Sequence, residues 1–269
     1  MKKVILITGI SSGFGKETAR LLSESGHIVY GTIRRDCEIT YKINVLRLDL
    51  TDSISIKKAV ETVIKNEGRI DVLINNAGMH SGGPIETIPD EYIKLQMDTS
   101  FYGLVQLTRE VLPVMRKQKS GMIINFSSIG GIMGLPFQAF YSAGKFAVEG
   151  FSEALRMEVK PFNIKIVVIN PGDFHTNNSI NRRHFLSPTT DSDPYHENFK
   201  NGLVQIEKDE AAGWEPVVLA RKLVKIIDSK NPRQKYIIAS FEQKLAVLLK
   251  HILPGKLFRS ILENHYRIK

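Results

Sequence analysis

Val4-Ile5-Leu6-Ile7-Thr8-Gly9-Ile10-Ser11-Ser12-Gly13-Phe14-Gly15, near the start of the chain, reads as a strand, a glycine turn and the first turn of a helix. Val4–Thr8 is apolar up to its last residue and rich in β-branched side chains, the pattern of a strand buried on both faces. From Gly15 the apolar positions recur with helical spacing (Thr18, Leu21, Leu22) until Gly26, a natural helix end. Glycines allow a tight turn and a close backbone approach. The helix behind them offers unpaired N–H groups and the positive end of its dipole. Such a turn suits a phosphate, so the stretch predicts a nucleotide cradle in an α/β fold rather than a plain connector.

Working outward, strands are predicted at Ile28–Thr32, Val45–Leu50, Val72–Asn75, Met122–Phe126, Ile164–Asn170 and Lys235–Ile238. Helices are predicted at Ser53–Asn66, from about Tyr92 to Lys117, at Tyr141–Val159 and near Val217–Ile227. The polar stretch Asn177–Gly213, with Pro188 and Pro194, reads as a loop that closes over a substrate. Phe241–Lys269 reads as a basic helical tail. Strands separated by helices imply right-handed parallel crossovers. The expectation is one domain, residues 1–269, with a Rossmann-type doubly wound parallel sheet of about seven strands and helices on both faces.

The 269 residues suffice for one large core, and 42% hydrophobic with 24% charged residues argues against disorder. Cys37 is the single cysteine, so no intramolecular disulfide forms, which fits a reducing compartment. No apolar run approaches the ~20 residues of a membrane-spanning helix. The short run after Met1-Lys2-Lys3 breaks into the glycine turn, unlike a signal peptide, and a cytoplasmic location is expected. The net charge of +9 sits in the tail: residues 221–269 hold 12 Lys/Arg against 3 Asp/Glu. The neutral remainder argues against a nucleic-acid partner.

The turn spacing is Gly9-x-x-x-Gly13-x-Gly15. With Asn75-Asn76-Ala77-Gly78, Tyr141-x-x-x-Lys145, and Pro171-Gly172 followed by Thr176, it resembles the short-chain dehydrogenase/reductase family over roughly the first 240 residues. The resemblance implies a nicotinamide cofactor along Gly9, Ser11, Ser12, Gly13, Phe14, Gly15, Asp49, Leu50, Asn76, Ala77, Gly78, Pro171, Gly172 and Thr176. Asp49 would meet the adenine amino group, Asn76 the adenine ribose and Thr176 the carboxamide. Asn75 and Asn76 also have a purely structural reading, tying the fourth strand to its neighbour. The second strand runs into Arg34-Arg35-Asp36 with no acid at its end. A guanidinium matches a 2′-phosphate bidentately, so NADP(H) is preferred over NAD(H). The resemblance places Arg34 there, with Ser12 beside it; Asp36 is the residue that speaks for NAD(H).

Carbonyl reduction needs a hydride donor, a proton donor and a group that polarises the oxygen. Tyr141 and Lys145, four apart on a helix, share a face. A nearby ammonium lowers the phenol from its usual pKa of about 10, which makes a sensible acid/base pair. Ser128, just past the fifth strand at the ligand-binding end of a parallel sheet, would orient the substrate oxygen; Ser127 is its rival, and the family pattern Ser128-Ile129-Gly130-Gly131 prefers Ser128. The family also has Lys145 hold the nicotinamide ribose. It usually carries a relay asparagine where this chain has Ser100.

The apolar stretch Ile132–Phe137 is expected to wall the pocket, with Met133 among the substrate contacts beside Ser128 and Tyr141. This region looks like the 17β-hydroxysteroid and retinol dehydrogenase branch, which implies a bulky apolar carbonyl or alcohol, steroid-like or long-chain. In the tail, Leu245, Leu248, Leu249, Ile252, Leu257, Phe258, Ile261 and Leu262 recur at helical spacing. They are expected to pack on the core, the pocket rim or a second subunit, with contact to an anionic membrane as the alternative. The resemblance implies a homo-dimer or homo-tetramer. No metal-ligand set is assigned. Rival readings are a nucleotide-binding regulator that has lost turnover, with Ser100 its only support, and an NAD-dependent dehydrogenase of a small alcohol.

Overall fold

A computed structural model describes residues 2–268. Seven strands, β1 (Val4–Thr8), β2 (Ile28–Ile33), β3 (Asn44–Arg47), β4 (Val72–Asn75), β5 (Gly121–Phe126), β6 (Ile164–Pro171) and β7 (Lys235–Ile238), form one sheet in the order β3-β2-β1-β4-β5-β6-β7. Every pairing is parallel; Val4 aligns with Ile28, and Ile5 with Val72. The alternation of side chains explains the unbroken apolar runs. On β1, Ile5 and Ile7 enter one core with α1 (Gly13–Glu24) and α8 (Pro216–Asp228), while Val4 and Leu6 enter the other with α2 (Ser53–Glu67), α4 (Gly103–Gln118) and α5 (Ala139–Val159). Both faces are buried, so no position on β1 can be polar except Thr8 at its end. The chain crosses from one side of β1 to the other between β3 and β4. The carboxyl ends of β1 and β4 therefore flank a crevice, the standard ligand position of such sheets.

Two helical regions differ from expectation. The stretch predicted from Tyr92 to Lys117 is α3 (Asp90–Met97), one wider π-helical turn (Asp98–Tyr102) and α4. Residues 177–213 are not a loop: they hold the short α6 (Asn178–Arg182) and the sixteen-residue α7 (His196–Ala211). The face that α7 buries is Phe199, Gly202, Ile206 and Glu210, too thin an apolar stripe to register as amphipathic.

The tail is two helices, α9 (Phe241–Ile252) and α10 (Gly255–His265), divided at Leu253-Pro254. Val247 and Phe258 are buried against Met133, with Leu249 and Leu262 packed beside them. Leu245, Leu248, Ile252, Leu257 and Ile261 are exposed, so only part of the expected apolar face meets the core. No helix among the described residues is long and apolar enough to cross a membrane.

Candidate active site

The turn after β1 is fitted to its neighbours by missing side chains. Gly9 has φ +73°, and a Cβ there would stand 2.9 Å from the Cβ of Ala77. A Cβ on Gly15 would stand 2.0 Å from the Gly9 carbonyl oxygen, so Gly15 is required by packing inside the turn. The Asn76 amide donates to the carbonyls of Thr8 and Gly9 at 2.8 and 3.0 Å, joining β4 to the turn. Asn75 plays the structural part: its amide reaches Asn125 at 2.8 Å and Thr108 at 3.1 Å.

The turn opens on a cavity of about 310 Å³ that also receives Ser11, Ser12, Gly13, Phe14, Ala77, Gly78, Ser128, Tyr141, Lys145, Pro171, Gly172 and Thr176. A second cavity shares Gly9, Ser11, Ala77 and Gly78 and runs outward over Arg34, Asp49 and Leu50 at the ends of β2 and β3. Asp49 accepts from the Thr51 N–H and hydroxyl at 2.9 and 2.7 Å. Burial pushes its carboxyl up, but these bonds and Arg34 outweigh it and hold the pKa below the usual value. Asp36 is paired with Arg47.

Two residues do not join the cavities. Gly15 lies inside the turn, as above. Met133, 1% exposed, is packed beneath the tail with Val247 and Phe258 rather than facing substrate space. Within the expected wall, Leu135 reaches the cavity, whereas Phe137 packs against Phe199 of α7, with tilted rings 5.4 Å apart.

Tyr141 and Lys145 project from one face of α5, with Nζ 5.8 Å from the centre of the phenol ring. Lys145 Nζ donates to the Phe126 carbonyl at 2.9 Å, and burial lowers its pKa to about 8. Burial pushes Tyr141 up to about 12, with the Ser128 hydroxyl pulling the other way. The lowering expected from lysine is not seen: burial sets the direction, and the phenol is protonated at neutral pH. Of the two rival serines, Ser127 Oγ is turned to the Lys145 carbonyl at 3.4 Å, and Ser128 is the one at the phenol. The Ser128 carbonyl accepts from Asn170 Nδ2 at 2.9 Å. That nitrogen also donates to Glu149 at 2.6 Å, and Glu149 is paired with Lys235, which pins the end of β5.

Ser100 lies in the π-helical turn, a feature common at functional sites. Its hydroxyl accepts from Gln96 Nε2 at 2.8 Å and from the Met79 N–H at 3.3 Å. Gln96 also takes the Ser81 N–H at 2.9 Å and donates to the Met79 carbonyl at 3.0 Å. Ser100 and Gln96 together brace the segment after Gly78.

The sequence reading missed several cavity residues. His80 stacks on Tyr141 with ring centres 4.0 Å apart. Asp173, Asp209, Glu210 and Tyr266 line the same space. His80, two residues past Asn-Asn-Ala-Gly, and Asp173, directly after Pro171-Gly172, offered a signal of position alone.

The short chain dehydrogenase family model matches residues 3–186. Over 267 residues the chain is 48% identical to a 3-ketodihydrosphingosine reductase of Bacteroides thetaiotaomicron, covering 99% of each protein. It is 32% identical over 279 residues to the uncharacterized oxidoreductase YusZ of Bacillus subtilis, covering 98% of each. A short-chain dehydrogenase structure from Streptomyces avermitilis superposes with a TM-score of 0.80 at 28% identity, covering 99% of this chain and 97% of that one.

Proposed function

Because the chain belongs to the short-chain dehydrogenase/reductase family and is an oxidoreductase acting on keto or alcohol groups, we propose that it is an NADP(H)-dependent reductase of long-chain ketones with Tyr141 as proton donor. The observation that carries this reading is the placement of Tyr141. Its protonated phenol stands beside Ser128 in the cavity that the glycine turn opens on. A ketone reduction consumes a proton at the developing alkoxide, and a phenol held in its acid form supplies it. Ser128 orients the same oxygen, and Lys145 supplies positive charge behind the ring.

The crevice fits a dinucleotide. Gly9 and Gly13 line the cavity with bare backbone, and the first residues of α1 border it. Arg34 at the outer cavity suits a 2′-phosphate, while Asp36 is engaged by Arg47. When bound, the nicotinamide supplies the hydride. Asp49 and Leu50 would lie at the adenine, Asn76 at its ribose, Lys145 at the nicotinamide ribose, and Pro171, Gly172 and Thr176 at the carboxamide.

The 48% identical relative supports a long-chain substrate over a steroid. The compound in its name is a long-chain 3-ketone with an amine on the adjacent carbon and a hydroxyl on the carbon beyond that, and it is the first ketone to assay. NADPH oxidation with this ketone, with a simple long-chain ketone and with a steroid ketone tests the reading. Tyr141→Phe is expected to lower kcat by a factor on the order of 10²–10⁴ with little change in NADPH affinity. Arg34→Ala is expected to weaken NADPH roughly 10- to 100-fold and NADH little. Wild-type turnover in Tyr141→Phe, or equal losses for both nucleotides in Arg34→Ala, contradicts the assignment.

A further inference from the structure

The nucleotide reading leaves unused a group of acids beside Tyr141. The turn after β6 presents Asp173 to the cavity, and α7 presents Asp209 and Glu210. Glu210 is neutralised by Arg182, 1% exposed, whose two Nη atoms reach its two oxygens at 2.7 and 2.9 Å. Asp209 accepts from His265 Nε2 and Gln205 Nε2, each at 2.8 Å. Asp173 forms no ion pair among the described residues. The Gln243 amide at the start of α9 holds both its carboxylate and its backbone N–H. Burial first, then the charges of Asp209 and Glu210, push Asp173 up to about 7. His265, which Asp209 and Asp173 hold toward its charged form, answers Asp209, and Arg182 answers Glu210; the third carboxylate, Asp173, leaves room for another positive charge.

His80 points independently to a ligand in this space. It is 5% exposed, stacks on Tyr141 at 16° between ring planes, and lines the same cavity. Asn178 Nδ2 lies 3.1 Å from His80 Nδ1 and donates to Glu210 Oε1 at 3.3 Å. A nitrogen that faces a carboxylate is the amide donor, so Nδ1 accepts and the network assigns the ring proton to Nε2. Burial, then the charges of Arg182 and Lys145, keep the ring neutral. Nε2 has no partner within hydrogen-bond geometry among the described residues; the Gln138 side chain, close enough to favour the charged ring, does not reach that geometry. A buried N–H without an acceptor is costly, and an oxygen of a bound molecule would satisfy it.

Resting on the ketone-reductase reading, we propose that this end of the cavity is a polar-head subsite for a ketone bearing a protonated amine on the adjacent carbon: Asp173 and Asp209 receive the ammonium, and His80 Nε2–H donates to the neighbouring hydroxyl. An N-acylated head carries no charge to place against Asp173. A ketone without the amine leaves the carboxylates as crowded as before. Specificity then comes from the penalty of leaving buried polar groups unmatched, which discriminates more sharply than an apolar pocket does.

Binding is the primary test, since it does not depend on turnover. Titration calorimetry in the presence of NADP⁺ would compare a long-chain 2-amino-1,3-diol with its N-acetyl derivative. The wild type is expected to favour the free amine by a factor on the order of 10–100. Asp173→Asn and Asp209→Asn, checked for folding by thermal melting, are each expected to shrink that preference. His80→Phe keeps a ring on Tyr141 and is expected to remove the preference for the diol over its 1-deoxy analogue. Equal binding of amine and N-acetyl forms by the wild type, or an undiminished preference in both Asp variants, overturns the ammonium site. An undiminished hydroxyl preference in His80→Phe overturns the donor assignment. A chain that binds the amine selectively yet oxidises NADPH with no ketone would instead defeat the reductase reading alone.

Discussion

Tyr141 and Asp173 share one cavity, and burial drives both toward their protonated forms. For Tyr141 this is useful, because the acid form is the one that a reduction consumes. For Asp173 it is a cost to the fold. Its carboxyl has an ordinary value of 3.8 and a folded value of about 7. Below pH 3.8 both states hold the proton. As pH rises toward 7 the unfolded chain releases it first, so the folded state loses stability through that window and gains none back above it. Asp173→Asn is therefore expected to raise the unfolding free energy at pH 8 by roughly 2–4 kcal/mol and to change it little near pH 4. Urea unfolding at the two pH values checks this; an equal effect at both would show that the carboxyl does not titrate as described. The spacing that places Tyr141 over Lys145 was legible because a helix projects residues four apart onto one face. The electrostatics were not, because desolvation depends on what the rest of the chain brings to the ring. The roles of His80 and Asp173 were illegible for the same reason: beyond its place next to a motif, a single polar residue after a strand carries no periodicity, and its neighbours come from α6, α7 and the tail.

At the scale of elements, the sequence failed where a helix is held by charge rather than by apolar surface. α7 buries two large apolar side chains, a glycine and a glutamate. Its anchor is the ion pair between Glu210 and Arg182 of α6, which Ser179 and Asn178 support from the same side. Such a pair is worth little relative to a good apolar contact but is expensive to break from one side. Glu210→Ala leaves a guanidinium buried without a partner and is expected to cost about 3–5 kcal/mol, seen as a lowered urea midpoint. The double variant Arg182→Met with Glu210→Leu is expected to recover most of that loss. If Glu210→Ala alone is as stable as the wild type, the pair is not what holds α7. The π-helical turn at Asp98–Tyr102 was also beyond reach, because one wider turn barely disturbs the apolar spacing of a long helix. It nevertheless sets Ser100 against Gln96 and the backbone of Met79.

For the whole molecule, the doubly wound sheet was readable from the alternation of buried strands and amphipathic helices, since each strand needs cover on both faces and the crossovers have one hand. What the tail does was not readable, because its apolar spacing says that it packs but not against what. It lies on the segment between Ser128 and Tyr141, and it sends Gln243, His265 and Tyr266 toward Asp173 and Asp209. The two ends of the crevice are thus built differently. The nucleotide end rests on β1 to β4, and the substrate end depends on elements that follow β6. Phe258, 3% exposed between Val247 and Met133, is the centre of the tail's packing. Phe258→Ala is expected to cost about 3–5 kcal/mol, if the tail unfolds together with the core. Because the tail packs mainly on the Ser128–Tyr141 segment and the acids beyond it, and meets the nucleotide end only where Gln243 touches Gly172, KM for the ketone should rise severalfold and KM for NADPH less. Equal changes in both constants would mean that the tail supports the sheet as a whole; no change in either would mean that α9 and α10 are independent of the site.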